Sequence, residues 1–160
     1  YVKGATDMHL DAMTAKSRTG YLITYAGCPI TWGSKLQRES ALSTTESEYM
    51  AISESFRSLL PMMDLLEEAR EKGVPVRSGP PVVHCKAFED NSGAMELARL
   101  PKMRPRTKHI NVKYHHFREA VAKGRVTVQH VASKDQLGDA LTKNLPRDLF
   151  LSLRKRYAGW

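Results

Sequence analysis

Apolar and polar positions change rhythm several times along the chain, and each rhythm predicts an element. Residues 1–16 are polar without clear periodicity and read as an arm or loop. From Gly20 the texture is β-branched and aromatic: Tyr21, Ile23 and Tyr25 alternate with Leu22 and Thr24, and Gly27 punctuates a turn. Ile30, Thr31 and Trp32 restart the strand pattern, so residues 20–37 are expected to form a hairpin, with Ala41-Leu42 as a candidate third strand. Ser43-Thr44-Thr45 then offers N-cap chemistry, and Thr45 with Glu48 three residues on fits a capping box. Tyr49, Ile52, Phe56, Leu59, Leu60, Met63 and Leu66 recur at spacings of three and four, one face of a helix. Pro61 should kink that helix or start a second one.

Beyond Gly73 a proline-rich stretch to Pro81 reads as a loop, and Val82–Phe88 as a short central strand. Asn91–Leu100 is expected to be helical, Pro101 and Pro105 bracket a basic loop, and His109–Lys123 returns to helix. Arg125–Val131 alternates as a strand, Ser133 or Asp135 could cap a helix running to Lys143, and Leu149–Tyr157 is a final basic helix. The order is that of a mixed α/β domain built on a sheet. The chain divides into a polar arm (1–16), a main domain (17–145) and a basic C-terminal helix (146–160).

Composition narrows the class. With 160 residues, 41% hydrophobic and 26% charged, the chain suits one globular domain. Lys plus Arg number 25 against 17 acids, a net +8, which points to a polyanionic partner. Two cysteines are too few for a disulfide scaffold, and both read as small buried hydrophobes of an intracellular protein. No apolar run approaches the roughly 20 residues of a membrane helix, so no membrane partner is expected. With Tyr1 at its start and no signal-peptide pattern, the chain reads as a fragment of something longer.

Three acids stand out. Glu48 lies early in the long helix, Asp90 follows the Val82–Phe88 strand where open α/β sheets place ligands, and Asp139 sits in an otherwise neutral stretch. Glu89 points away from Asp90 if the strand continues through it. Converging carboxylates suit two-metal hydrolysis of a phosphodiester, in which hard oxygen ligands hold Mg²⁺ ions about 3.5–4 Å apart. Taken singly, an acid in such a place is more often a helix cap or a solvated charge than a metal ligand.

The ordered segments Ser17-Arg18-Thr19-Gly20-Tyr21, Ala26-Gly27-Cys28-Pro29-Ile30-Thr31-Trp32, Ala41-Leu42-Ser43-Thr44-Thr45-Glu46-Ser47-Glu48-Tyr49, Glu89-Asp90-Asn91-Ser92-Gly93-Ala94, Arg106-Thr107-Lys108-His109-Ile110 and Gln136-Leu137-Gly138-Asp139-Ala140-Leu141-Thr142-Lys143 resemble the ribonuclease H domain of the Pol polyprotein of copia-type LTR retrotransposons. The resemblance spans residues 17–147. It implies the ribonuclease H-like fold, a mixed sheet flanked by helices, and endonucleolytic hydrolysis of the RNA strand of RNA–DNA hybrids. It implies two Mg²⁺ ions (or Mn²⁺) on Glu48, Asp90 and Asp139, and as partners the hybrid and the reverse transcriptase domain of the same polyprotein. It also implies an intracellular setting, a cytoplasmic retroelement particle or the nucleus.

One departure matters. The family carries a first aspartate on strand one, and Tyr1-Val2-Lys3-Gly4-Ala5 has no acid. Either Lys3 replaces it or the chain starts after strand one; the polar texture of residues 1–16 favours the second, and Asp7 and Asp11 are poor substitutes in that arm. A missing metal-bridging carboxylate leaves the others repelling one another with less cation to hold them, so weak or absent activity is expected. The alternative is a catalytically dead nucleic-acid-binding or scaffold module.

Lys102, Arg104, Arg106, Lys108, Lys113 and Arg118 form one basic cluster and Arg147, Arg154, Lys155 and Arg156 another. Such clusters neutralise phosphates without reading sequence. Arg104, Arg106, Lys108, His109 and Lys113 are the candidate nucleic-acid contacts. His115 and His116 are adjacent and face apart on a helix, which does not suit zinc. The loop 132–135 lacks the histidine that many ribonucleases H place before the last aspartate, and His130 lies on the preceding strand. Tyr21, Tyr25 and Trp32 are expected in the core.

Overall fold

The computed structural model describes residues 16–76, 83–100 and 112–159. The arm, with Lys3, Asp7 and Asp11, lies outside them, as do Arg104, Arg106, Lys108 and His109. The hairpin forms as expected: β1 (Arg18–Tyr25) pairs antiparallel with β2 (Cys28–Leu36). Ala26 and Gly27 make the turn with φ of 51° and 81°. Two positive φ angles give a two-residue turn whose twist matches the strands, and glycine adopts one of them without a Cβ penalty. Ala41-Leu42 adds no strand.

A single helix, α1 (Thr44–Glu71), follows and runs through Pro61, where a second helix had been a possibility. Its N-cap is Ser43, whose Oγ accepts from the Glu46 N–H at 3.1 Å, while Glu46 Oε2 accepts from the Leu42 N–H at 2.8 Å. The cap therefore sits two residues ahead of the expected Thr45–Glu48 pair. Glu46 serves the helix end and Glu48 is left to turn inward.

Tyr49, Ile52, Phe56, Leu59 and Met63 form the buried stripe of α1. They pack against Ala94, Met95 and Ala98 of α2 (Ser92–Arg99), Phe117, and Val126 and Val128 of β4 (Val126–His130). Burying each large side chain stabilises the fold by about 1.5–3 kcal/mol. Phe117 is the hub, with ring centroids 4.8 Å from Phe56 and 5.5 Å from Tyr49.

β3 (Cys85–Glu89) pairs in parallel with β4, from Cys85 opposite Val126 to Glu89 opposite His130. The mixed α/β class holds. Among the described residues the strands stand as two two-stranded sheets, β1–β2 and β3–β4.

Two expected helices shrink. Of the expected helix 109–123, residues 112–123 are described, and among these α3 (Arg118–Ala122) is the α-helical part, preceded by a 3₁₀ turn at Val112–Tyr114. Between them Phe117 is fully buried and His115 is spent on Tyr49, whose hydroxyl lies 2.6 Å from its Nδ1. Residues 133–143 form two 3₁₀ turns, Ser133–Asp135 and Leu137–Leu141. There Gly138 is a weak helix former, and its carbonyl lies against β1. The basic helix α4 (Arg147–Ala158) forms with Leu153 buried.

The aromatic expectation is corrected in part. Tyr21 is buried, with its hydroxyl 2.9 Å from Ser58 Oγ, but Tyr25 and Trp32 are 46% and 63% exposed. Tyr21 lies over Gly33, its direct cross-strand partner, whereas Trp32 sits opposite Leu22 on the other face. A hairpin packed on one face leaves the other to solvent. Cys28 is likewise exposed and Cys85 only half-buried.

Candidate metal centre

Three elements deliver acids to one place. Glu48 comes from the second turn of α1, whose opening residues Glu46 to Ser53 are buried without a break. β3 alternates inward at Cys85, Ala87 and Glu89, and it ends at Glu89. Because the strand stops there, Asp90 leaves the alternation and lies beside Glu89. One carboxylate oxygen each from Glu48, Glu89 and Asp90 falls within 4.8 Å of the others. Glu48 and Glu89 are each only 1% exposed.

Each member has a distinct environment. Ser133 Oγ donates to Asp90 Oδ2 at 2.6 Å, fixing the aspartate from the turn after β4. Glu89 Oε1 accepts from the Asn91 N–H at 3.0 Å, and Asn91 in turn caps α2 by accepting from the Ala94 N–H. Glu89 Oε2 is buried with no hydrogen-bond partner. Burial pushes the Glu89 carboxyl well above the ordinary carboxylate range; the Asn91 N–H opposes this and the charges of Asp90 and Asp139 add to it.

Asp139 is close enough for its charge to act on Glu89, yet it is not among the three converging carboxylates. It is buried on the Leu137–Leu141 turn, and Lys143 Nζ lies 2.6 Å from its Oδ2. Both side chains are nearly inaccessible, at 9% and 5% exposure. The turn is held against the hairpin: Ser34 Oγ donates to the Leu141 carbonyl at 2.6 Å. A Cβ on Gly20 would stand 2.4 Å from Thr142 Cγ2, so β1 can approach only because residue 20 has no side chain.

Sequence reasoning thus placed Glu48 and Asp90, which the fold brings together. It set Glu89 apart and missed Lys143. The alternation Cys85, Ala87, Glu89 was the available signal for an inward Glu89; the strand's end, which turns Asp90 to the same spot, was not readable. Lys143 stands four residues after Asp139, a spacing that pairs charges on one helical face. Among the proposed nucleic-acid contacts only Lys113 lies in the described residues. Its ammonium is bonded to Glu39 and sits 5.0 Å from the Tyr114 ring centre.

Hard carboxylate oxygens, from buried Glu48 and Glu89 and half-buried Asp90, with Glu89 Oε2 orphaned, could hold a hard cation of the Mg²⁺ or Mn²⁺ class and do not suit a soft metal. Among the chain's relatives are retrovirus-related Pol polyproteins. The chain is 37% identical over 151 residues to the Pol polyprotein from transposon TNT 1-94 of Nicotiana tabacum, which covers 93% of the chain and 11% of that relative. It is 37% identical to those from transposons RE2 and RE1 of Arabidopsis thaliana, over 140 and 134 residues, or 88% and 84% of the chain. The chain therefore spans only about a tenth of the length of these Pol polyproteins. No family model and no solved structure matches it. Among the described residues no helix is long and apolar enough to cross a membrane.

Proposed function

We propose that this Pol-derived chain is a ribonuclease H-type domain that hydrolyses the RNA strand of RNA–DNA hybrids. The observation that supports it most is the convergence of Glu48 and Asp90, from separate elements, within 4.8 Å of a third carboxylate. Glu48, Asp90 and Asp139 are the residues we assign to divalent cations, Mg²⁺ or Mn²⁺. When bound, such cations supply Lewis acidity and offset the negative charge of the scissile phosphate.

The chain's own residues prepare that site. The buried first turns of α1 fix the Glu48 carboxylate, and Ser133 orients Asp90. Lys143 holds Asp139. Arg104, Arg106, Lys108 and His109 are assigned to the hybrid's phosphates, which would give salt-dependent affinity with little sequence preference. Lys113 belongs to that group only if the phosphate displaces Glu39. The reverse transcriptase domain of the same polyprotein is the proposed covalent partner, and a cytoplasmic particle or the nucleus the proposed setting.

A second reading has its own support: with Asp139 neutralised by Lys143, the domain could bind hybrid without cutting it. Incubation of a labelled RNA–DNA hybrid with the protein in Mg²⁺, with Glu48→Gln as control, separates the two. Cleavage that disappears with Glu48→Gln supports the hydrolase. Hybrid binding without cleavage at any Mg²⁺ or Mn²⁺ concentration refutes it in favour of the binding module.

A further inference from the structure

Glu89 stands where its ionised form is costly unless a cation meets it. Its side chain is 1% exposed, and its Oε2 has no hydrogen-bond donor. Among the described residues no basic side chain forms an ion pair with it, and its neighbours Glu48 and Asp90 are themselves acidic. Taking a carboxylate out of water costs several kcal/mol unless charge and hydrogen bonds compensate. Gathering three of them adds mutual repulsion. Asp139, by contrast, already has a cation in Lys143.

We propose that Glu89 joins Glu48 and Asp90 as a carboxylate ligand of the divalent-cation site. This rests on reading the acids as metal ligands and deepens it. Glu89 brings its carboxyl to Glu48 and Asp90 from the end of β3. The orphaned Oε2 is the atom that meets the cation, while Oε1 remains on the Asn91 N–H. Asn91 then acts as a positioning residue, because its backbone sets the rotation of the Glu89 carboxyl and its side chain anchors α2. A hard, oxygen-seeking ion of the Mg²⁺ or Mn²⁺ class is the one that such a donor set takes.

The test is Mn²⁺ binding to the full chain, read by the loss of the free-ion paramagnetic resonance signal, with no nucleic acid present. Losing a residue that merely supports a metal ligand commonly weakens affinity about 10–100-fold, so Glu89→Gln should weaken Mn²⁺ at least about tenfold. Glu89→Asp should fall between the two, and Glu68→Gln, an exposed acid at the far end of α1, should stay within about threefold of the parent, the ordinary scatter of such measurements. Thermal melts in EDTA establish that the variants fold; if Glu89→Gln melts early, Glu89→Asp carries the comparison. Mn²⁺ binding unchanged by Glu89→Gln overturns the assignment, as does a parent chain that binds no Mn²⁺. The hydrolase reading fails separately. A parent that binds Mn²⁺ through Glu89 but never cuts hybrid keeps the site and loses the reaction. A parent that cuts hybrid equally well with Glu89→Gln keeps the reaction and loses Glu89.

Discussion

Replacing Lys143 by Met tests how the Asp139 turn is held. The pair is buried, with Nζ 2.6 Å from Oδ2 and side chains 9% and 5% exposed. Met fills much of the same volume but removes the charge that faces the Asp139 carboxylate. Breaking a buried pair from one side costs about 3–5 kcal/mol. For a domain of this size each kcal/mol shifts the melting temperature by about 2–4 °C, so Lys143→Met should lower it by about 6–20 °C. Asp139→Asn leaves a buried ammonium and should cost a comparable amount. The double variant Lys143→Met with Asp139→Asn carries no buried charge and should recover most of the loss. The assay is urea unfolding of all four proteins in EDTA, closed as a double-mutant cycle. A single-variant loss under about 1 kcal/mol, or a double variant no more stable than Lys143→Met, would refute the claim that the pair is a buried, mutually compensating one.

Further outcomes follow from the same geometry. Phe117→Ala empties the hub between Tyr49 and Phe56 and should cost about 3–5 kcal/mol by urea unfolding, whereas Phe117→Leu should cost clearly less. Ser43→Ala should cost about 1 kcal/mol through the lost cap while Thr45→Ala does not; the reverse order would restore the cap to Thr45. Gly20→Ala should destabilise the chain and separate the Asp139 turn from β1, seen as faster amide exchange at residues 137–142, because its Cβ has no room beside Thr142. Burial pushes the Tyr49 hydroxyl up from the ordinary 10.0 to about 12, with the Arg118 charge opposing. The folded chain thus holds that proton more tightly than the unfolded one. The resulting stability is complete below pH 10 and is lost as pH rises to about 12. Alkaline unfolding curves of Tyr49→Phe should lack that component.

The sequence carried the fold wherever one local rule acted unopposed. The hairpin followed from strand alternation around Ala26-Gly27, and α1 from a stripe of apolar residues long enough to absorb Pro61. It misled where tertiary contacts set the local state. Thr45 and Ser43 offer the same cap chemistry, and only the inward demand on Glu48 chooses between them. Residues 133–143 have helix-compatible composition, but the close approach of β1 at Gly20 flattens them into 3₁₀ turns. Trp32 looked like core because alternation shows that a strand has two faces and not which one is covered. At the site, two of the three expected acids meet. The inward Glu89 and the Lys143 partner depend on where β3 ends and how one turn packs, and neither is written in spacing alone.

Glu48 stands four residues past the start of α1, and the same helix then supplies the core stripe from Tyr49 to Met63. Each residue turns a helix by about 100°. A one-residue insertion between Ser43 and Glu48 would therefore swing the capped end and the carboxylate out of phase with each other, and one between Glu48 and Ile52 would do the same to the carboxylate and the core. Length is constrained in this stretch as tightly as identity. The far end of α1, where Glu67, Glu68 and Glu71 carry no buried side chain, has no such phase to keep. Homologous chains that differ in length along this helix should thus gain or lose residues after Leu66 and hold the count constant from Ser43 to Met63.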